Sequence, residues 1–240
     1  MSLKDNMPQH VVAIPDGNRR WAKKRHLNPW LGHRAGVKTA EKIFLTVRDL
    51  NLRCFSFWGM SKDNFQKRPS REVKYLLEIF RVMFAKLKKE KDLYRLKIKV
   101  NIFGAWPQIF PERIKKPMIE VIEATKKHDQ RHLNFLIAYD GKDEILSAIK
   151  SIISQSKKKK DLKITQDLVK ANLWTKDLPS VDLIIRTGVE NDPHLSGGLL
   201  MWDSGNAQLY FTSLCWPDFG PDEFKKAIKD FQQRERRFGK

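Results

Sequence analysis

His10-Val11-Val12-Ala13-Ile14-Pro15-Asp16-Gly17-Asn18-Arg19-Arg20-Trp21-Ala22-Lys23-Lys24 runs from an apolar, β-branched segment through Pro-Asp-Gly-Asn into residues that favour a helix. That order predicts a buried strand, a tight turn and a helix N-terminus. Gly17 lets the backbone bend sharply, and the free N–H groups of the following turn can face an anion. Asp16 leaves the strand on that rim, where a lone carboxylate would repel an anion. Beside Arg19 and Arg20, or with a divalent metal bridging to phosphate oxygens, the same carboxylate becomes useful. The stretch reads as a diphosphate site at the carboxyl end of a strand, using magnesium. An ordinary strand-to-helix turn competes with this, because Asp-Gly-Asn is common turn chemistry.

Working outward, six apolar segments read as buried strands, near 10–14, 53–58, 97–103, 132–138, 181–185 and 208–214. The second is expected to end at Gly59. Helices are predicted between them. From Trp30 to Leu50, the residues Val37, Ala40, Phe44 and Val47 form one apolar face. From Pro69 to Glu90, Val73, Leu76, Leu77, Phe80, Met83, Phe84 and Leu87 keep helical spacing. Further helices are expected from Pro111 to Lys127 and from about Pro221. Strands alternating with helices favour an α/β fold, with a mostly parallel six-stranded sheet covered on both faces.

At 240 residues the chain suits one domain, 1–240, large enough to bury a core. No apolar run approaches a bilayer-spanning length, and the first nine residues carry no apolar leader, so a soluble, cytoplasmic protein is expected. Cys54 and Cys215 lie far apart without metal-like spacing and read as reduced, structural thiols. The net charge of +19 favours phosphorylated small molecules, anionic membrane surfaces or polyanions without choosing among them. No zinc-finger, homeodomain or RNP pattern supports dedicated nucleic-acid binding. The run Lys157 to Lys160 reads as a solvated loop.

Three further stretches sit where open α/β sheets bind ligands. Ser61-Lys62-Asp63-Asn64-Phe65-Gln66-Lys67-Arg68-Pro69 follows the second strand. Val181-Asp182-Leu183-Ile184-Ile185-Arg186-Thr187-Gly188 is a strand ending in an arginine able to grip phosphate oxygens in bidentate fashion, or to pair with a nearby acid. Leu199-Leu200-Met201-Trp202 and Ala207-Gln208-Leu209-Tyr210-Phe211 come next, followed by Trp216-Pro217-Asp218-Phe219 and a basic end, Arg237-Phe238-Gly239.

Together with Gly32-His33-Arg34-Ala35-Gly36, these motifs closely resemble the cis-prenyltransferase family, typified by undecaprenyl diphosphate synthase, from His10 to Gly239. The resemblance implies condensation of isopentenyl diphosphate with an allylic diphosphate, giving a cis-polyprenyl diphosphate and pyrophosphate. A hydrophobic tunnel beside the sheet would hold the growing chain, with the helix after Pro69 as one wall. It implies Mg²⁺ as cofactor, a homodimer, and a product destined for a membrane, with the protein itself at most peripheral there. Asp16 would position the metal. Gly17, Asn18, Arg19, Arg20, Trp21 and His33 would hold the allylic diphosphate, with Ser61, Phe65 and Arg68 beside them. Arg186, Ser196, Arg237 and Gly239 would hold the isopentenyl group, and Asn64 would guide ionisation or proton removal.

The chain departs from the family pattern at several points. Phe65 replaces Trp, Asp63 replaces Glu, and one extra residue precedes Arg68. Ala138-Tyr139-Asp140-Gly141-Lys142-Asp143-Glu144-Ile145 resembles a shortened Ala-x-x-Tyr-Gly-Gly-Arg-x-Glu-Ile, with Lys142 in place of Arg. His194 stands where a second arginine is usual, in a loop two residues longer. Gln208 occupies the position of a magnesium-binding glutamate, so Glu190 or Asp203 would have to compensate, or metal affinity would fall. These departures motivate two alternatives, a diverged subunit assisting a catalytic partner and an irregular, non-head-to-tail synthase. Charge alone motivates a third from another class, a nucleic-acid-binding protein, whose affinity would fall steeply with salt.

Overall fold

The computed structural model describes residues 6–159, 161–191, 193–196 and 198–234. Its strands are β1 (His10–Ile14), β2 (Cys54–Ser61), β3 (Ile98–Phe103), β4 (Arg131–Tyr139), β5 (Leu183–Arg186) and β6 (Gln208–Phe211). They form one sheet in the order β3-β4-β2-β1-β5-β6, and every pairing is parallel. The helices are α1 (Asn18–Lys23), α2 (Pro29–Asp49), α3 (Lys62–Lys67), α4 (Ser70–Leu87), α5 (Lys91–Arg95), α6 (Trp106–Ile109), α7 (Glu112–Thr125), α8 (Gly141–Ser156), α9 (Gln166–Asn172) and α10 (Pro221–Gln233).

Side chains alternate between the two faces of a strand, so β1 sends Val11 and Ala13 one way and Val12 and Ile14 the other. The first set joins Phe55, Phe135 and Ile185 in the larger core, against Ile43 of α2, Phe84 of α4, Met118 of α7 and Phe224 of α10. The second joins Trp58, Leu136 and Ile184, covered by Leu199, Leu200 and Trp174. Full burial of a side chain such as Phe55 contributes about 1.5–3 kcal/mol. An exposed pair such as Lys67–Asp63 contributes roughly 0–1 kcal/mol. The apolar faces therefore hold the fold, and the many surface ion pairs decorate it.

Some sequence expectations need correcting. Only the four inner strands are buried on both sides. β3 and β6 are edges, and every residue of β6 is half-buried. The last strand ends at Phe211, not 214. The second continues past Gly59 to Ser61, with shifts in register against β4 between Trp58 and Ser61. That irregularity carries Ser61 onto the carboxyl rim of the sheet, where it caps α3 by accepting from the Asn64 N–H. The helix expected to reach Glu90 stops at Leu87.

The topology fixes where a ligand can sit. The chain leaves β1 toward β2 on one side, while its other neighbour, β5, leads on to β6. β1 and β5 therefore flank a switch point, where the connecting segments diverge and open a crevice at the carboxyl ends. Asp16 and Arg186 stand at that crevice.

Candidate active site

The register that pairs Ile14 with Arg186 sets the Asp16 turn beside the end of β5. Arg186 is almost fully buried. Its Nη2 donates to Asp16 Oδ2 at 3.1 Å, and Nη1 donates to the His194 carbonyl at 2.8 Å and to Ser196 Oγ at 3.1 Å. The arginine thus takes the salt bridge and also ties down the loop after β5. Asp16 Oδ1 accepts from the Gly17 N–H at 2.6 Å and lies 3.4 Å from Arg20. Arg20 in turn donates to the Gly188 carbonyl at 2.5 Å.

Gly17 has φ +95°, a conformation that side chains rarely adopt, and an added Cβ would lie 2.9 Å from Cys215 Sγ. The turn also receives the Trp216 N–H at the Asp16 carbonyl (2.9 Å), and Trp216 Nε1 reaches the Gly36 carbonyl at 2.8 Å. Cys215 and Trp216 are therefore the floor of the Asp16 turn. Sequence reading missed that role for them, since nothing in Leu-Cys-Trp-Pro announces what it packs under.

A cavity of about 1110 Å³ opens from this turn. The first turns of α2 and α4 both lie at the carboxyl rim, so polar residues there give way to apolar ones as each helix runs on. Along α2 the lining passes from His33 to Val37 and Ala40, and along α4 to Leu76, Ile79, Phe80 and Met83. Asp16, Gly17, Asn18, Arg19, Arg20, His33, Ser61, Asn64, Arg68, Arg186 and Ser196 all line it. A charged head and an apolar tail can both be accommodated.

Two expected site residues point elsewhere. Trp21 donates from Nε1 to Asp218 at 2.7 Å, with Arg25 stacked on its ring, and does not line the cavity. Phe65 packs against Phe110, behind the wall. Gln208 opens β6 opposite Leu183, whereas Asp16 lies beyond the other end of the paired strands. Three residues of strand, about 10 Å, separate those ends, so one chain does not bring Gln208 to Asp16. Gln208 Oε1 is buried without a partner. Asp203 cannot compensate, since it is buried against Lys170 and Thr175. Glu190 does not line the cavity and is paired with Lys24 at 3.0 Å. Arg237 and Gly239 lie outside the described residues, and among those residues no three His, Cys, Asp or Glu side chains gather as a metal site.

One functional candidate escaped the sequence reading. Glu72, buried at the start of α4, lies 3.0 Å from His33 Nε2 and accepts from Arg68 Nη1 at 2.9 Å. The four-residue spacing of Arg68 and Glu72 was the available signal. Burial, aided by the charge of Arg68, lowers the His33 pKa below its ordinary value. Burial also works to raise the Glu72 pKa, but the hydrogen bond from His33 and the charge of Arg68 outweigh it and hold the carboxyl below its usual range.

Comparison with known proteins places this geometry. Residues 14–239 match the family model of undecaprenyl diphosphate synthases. A tritrans,polycis-undecaprenyl-diphosphate synthase (geranylgeranyl-diphosphate specific) from Thermococcus kodakarensis is 35% identical, over 98% of this chain and 88% of its own length. An isoprenyl transferase from Clostridium perfringens is 38% identical, over 99% and 92%. The crystal structure of lavandulyl diphosphate synthase from Lavandula x intermedia, in complex with dimethylallyl diphosphate, superposes with a TM-score of 0.90 at 26% identity, covering 98% of this chain and all of that one. Nothing in these similarities supports the nucleic-acid reading of the charge.

Proposed function

Since the chain belongs to the undecaprenyl diphosphate synthase family of prenyltransferases, we propose that its cavity condenses isopentenyl diphosphate with an allylic diphosphate. One observation carries this reading: a cationic rim built on Asp16 and Arg186 opens directly onto an apolar shaft between α2 and α4.

The chemistry requires the allylic C–O bond to break as positive charge develops on carbon and negative charge on the departing diphosphate. Arg19, His33, Arg68 and the N–H groups after Gly17 gather the leaving group, where fixed donors in a partly dry site act most strongly. Arg186 and Ser196 hold the second diphosphate so that its double bond faces the allylic carbon. A new C–C bond forms as the allylic diphosphate departs, and a proton passes from the isopentenyl unit to an oxygen of that departing diphosphate, giving the cis double bond. Asn64, at the rim of α3, is the side chain assigned to guiding that step. The shaft excludes water from the cation and receives the lengthening chain.

Mg²⁺ fits this site through Asp16. Its carboxylate is part-exposed between Arg20 and Arg186 at the diphosphate rim, and magnesium commonly takes one or two carboxylates together with substrate phosphates. Asp16 and the diphosphate oxygens would hold it, and it would supply charge neutralisation of the leaving group. The basic C-terminal end finds a part in the site if a second copy of the chain supplies it, and we take the working unit to be a homodimer. Among the described residues no helix is long and apolar enough to cross a membrane. Peripheral attachment through a long-chain product accords with that.

The direct test is incubation of purified protein with labelled isopentenyl diphosphate, Mg²⁺ and allylic diphosphates of increasing length. Products differing by five carbons, lost on adding EDTA, are expected by mass spectrometry, with a head-to-tail cis skeleton by NMR. No product with any primer would overturn autonomous activity, and an irregular skeleton would overturn the regular condensation. Arg186→Lys, which keeps the charge but not the fork, is expected to lower kcat/KM for isopentenyl diphosphate about 10- to 100-fold. Wild-type kinetics in that variant would remove Arg186 from the diphosphate site.

A further inference from the structure

Arg19, His33 and Arg68 arrive at the cavity from separate segments, namely α1, α2 and the link before α4. They converge on one carboxylate. Glu72 Oε1 takes Arg68 Nη1 at 2.9 Å and His33 Nε2 at 3.0 Å, while Oε2 lies 4.0 Å from Arg19 Nε. The Glu72 side chain is only 8% exposed and does not line the cavity, although all three partners do. By charge alone, an ionised carboxylate this close to a diphosphate site opposes binding of the anion. Something it does must offset that.

We propose that Glu72 is a positioning residue, which holds Arg68, His33 and Arg19 as one cluster with their donors available to the allylic diphosphate. The proposal rests on the prenyltransferase reading above. Without the carboxylate, the Arg68 and Arg19 guanidinium groups would repel each other and His33 Nε2 would lose its acceptor, so nothing would hold the three together. With it, the groups are gathered before substrate arrives, so less ordering remains to be done on binding. Its burial on the first turn of α4 gives it one location, and the adjoining Pro69 fixes how the chain enters that turn.

Geometry and charge make opposite predictions, and two substitutions separate them. Glu72→Gln keeps the size and removes the charge; Glu72→Asp keeps the charge and withdraws it by one methylene. If Glu72 acts by positioning, both variants bind inorganic pyrophosphate about tenfold or more weakly in calorimetry. The KM for the allylic substrate then rises in step, while the KM for isopentenyl diphosphate stays unchanged. Tighter pyrophosphate binding by Glu72→Gln, with wild-type binding by Glu72→Asp, would overturn the positioning role, as would an equal rise in both KM values. Thermal melts check that each variant folds; should Glu72→Gln fail, Glu72→Asp decides alone. Wild-type protein that binds no pyrophosphate and makes no product would overturn the underlying reading, whereas wild-type binding with unaffected variants overturns only the role of Glu72.

Discussion

Asp16→Ala is expected to reduce turnover by about a thousandfold or more while the protein stays folded. The two halves of that expectation have separate causes. Asp16 is 42% exposed in its side chain and lies on a turn, so its removal opens no cavity in either core. Its pair with Arg20 is solvent-exposed on both sides and contributes roughly 0–1 kcal/mol to stability, and the buried Arg186 keeps the His194 carbonyl and Ser196 Oγ as acceptors when the carboxylate is removed. The turn itself is held by the backbone: Thr187 Oγ1 and the Trp216 N–H both donate to the Asp16 carbonyl, which alanine retains. Activity is another matter, because Asp16 is the carboxylate that would join substrate phosphates around Mg²⁺ and the group that orients Arg186 toward the loop carrying Ser196. Asp16→Asn, with the same shape and no charge, should lose nearly as much. Steady-state rates at saturating Mg²⁺, read beside thermal melts, check both halves. Turnover within a few-fold of wild type would remove Asp16 from the chemistry.

Much of this site was legible in the sequence because its main feature is local. His-Val-Val-Ala-Ile can be buried on both faces of a parallel strand, and Asp-Gly-Asn can only be a turn where it ends. Arg186 follows a similar run, and pairing two such strands brings their carboxyl ends together whatever lies between. Other features depended on matters that residue types do not encode. Trp21 and Phe65 stand within the motifs, yet the direction of each side chain is set by a partner far along the chain, Asp218 in one case and Phe110 in the other. Gln208 was read from its place in a motif, but strand register puts it at the opposite end of the sheet from Asp16. Glu72 was passed over because nothing in its local sequence marks it as buried; His33, arriving from α2, and Arg68 enclose it.

The second large effect concerns a residue with no side chain. Gly32 lies in the first turn of α2, where that helix crosses α1, and a Cβ added there would sit 2.0 Å from the Asn18 carbonyl oxygen and 2.8 Å from its carbon. Neither atom is the end of a flexible side chain, so the strain can be relieved only by moving one helix from the other. Gly32→Ala is expected to cost about 1–3 kcal/mol of stability, the usual range for forcing an extra methyl group into close packing, and so to lower Tm by several degrees. The larger effect should be on turnover. Asn18 opens α1 directly after Gly17, and His33 is the next residue of α2, so the same displacement shifts both sides of the diphosphate site. A misplacement of about 1 Å can cost on the order of a hundredfold in rate. Gly205→Ala is the control, since nothing lies within 4 Å of a Cβ there, and it should leave Tm and turnover unchanged. If Gly32→Ala melted lower but turned over normally, the α1–α2 crossing would matter for stability alone. If it matched wild type in both, the close approach of the two helices would not be what holds Asn18 and His33 in place.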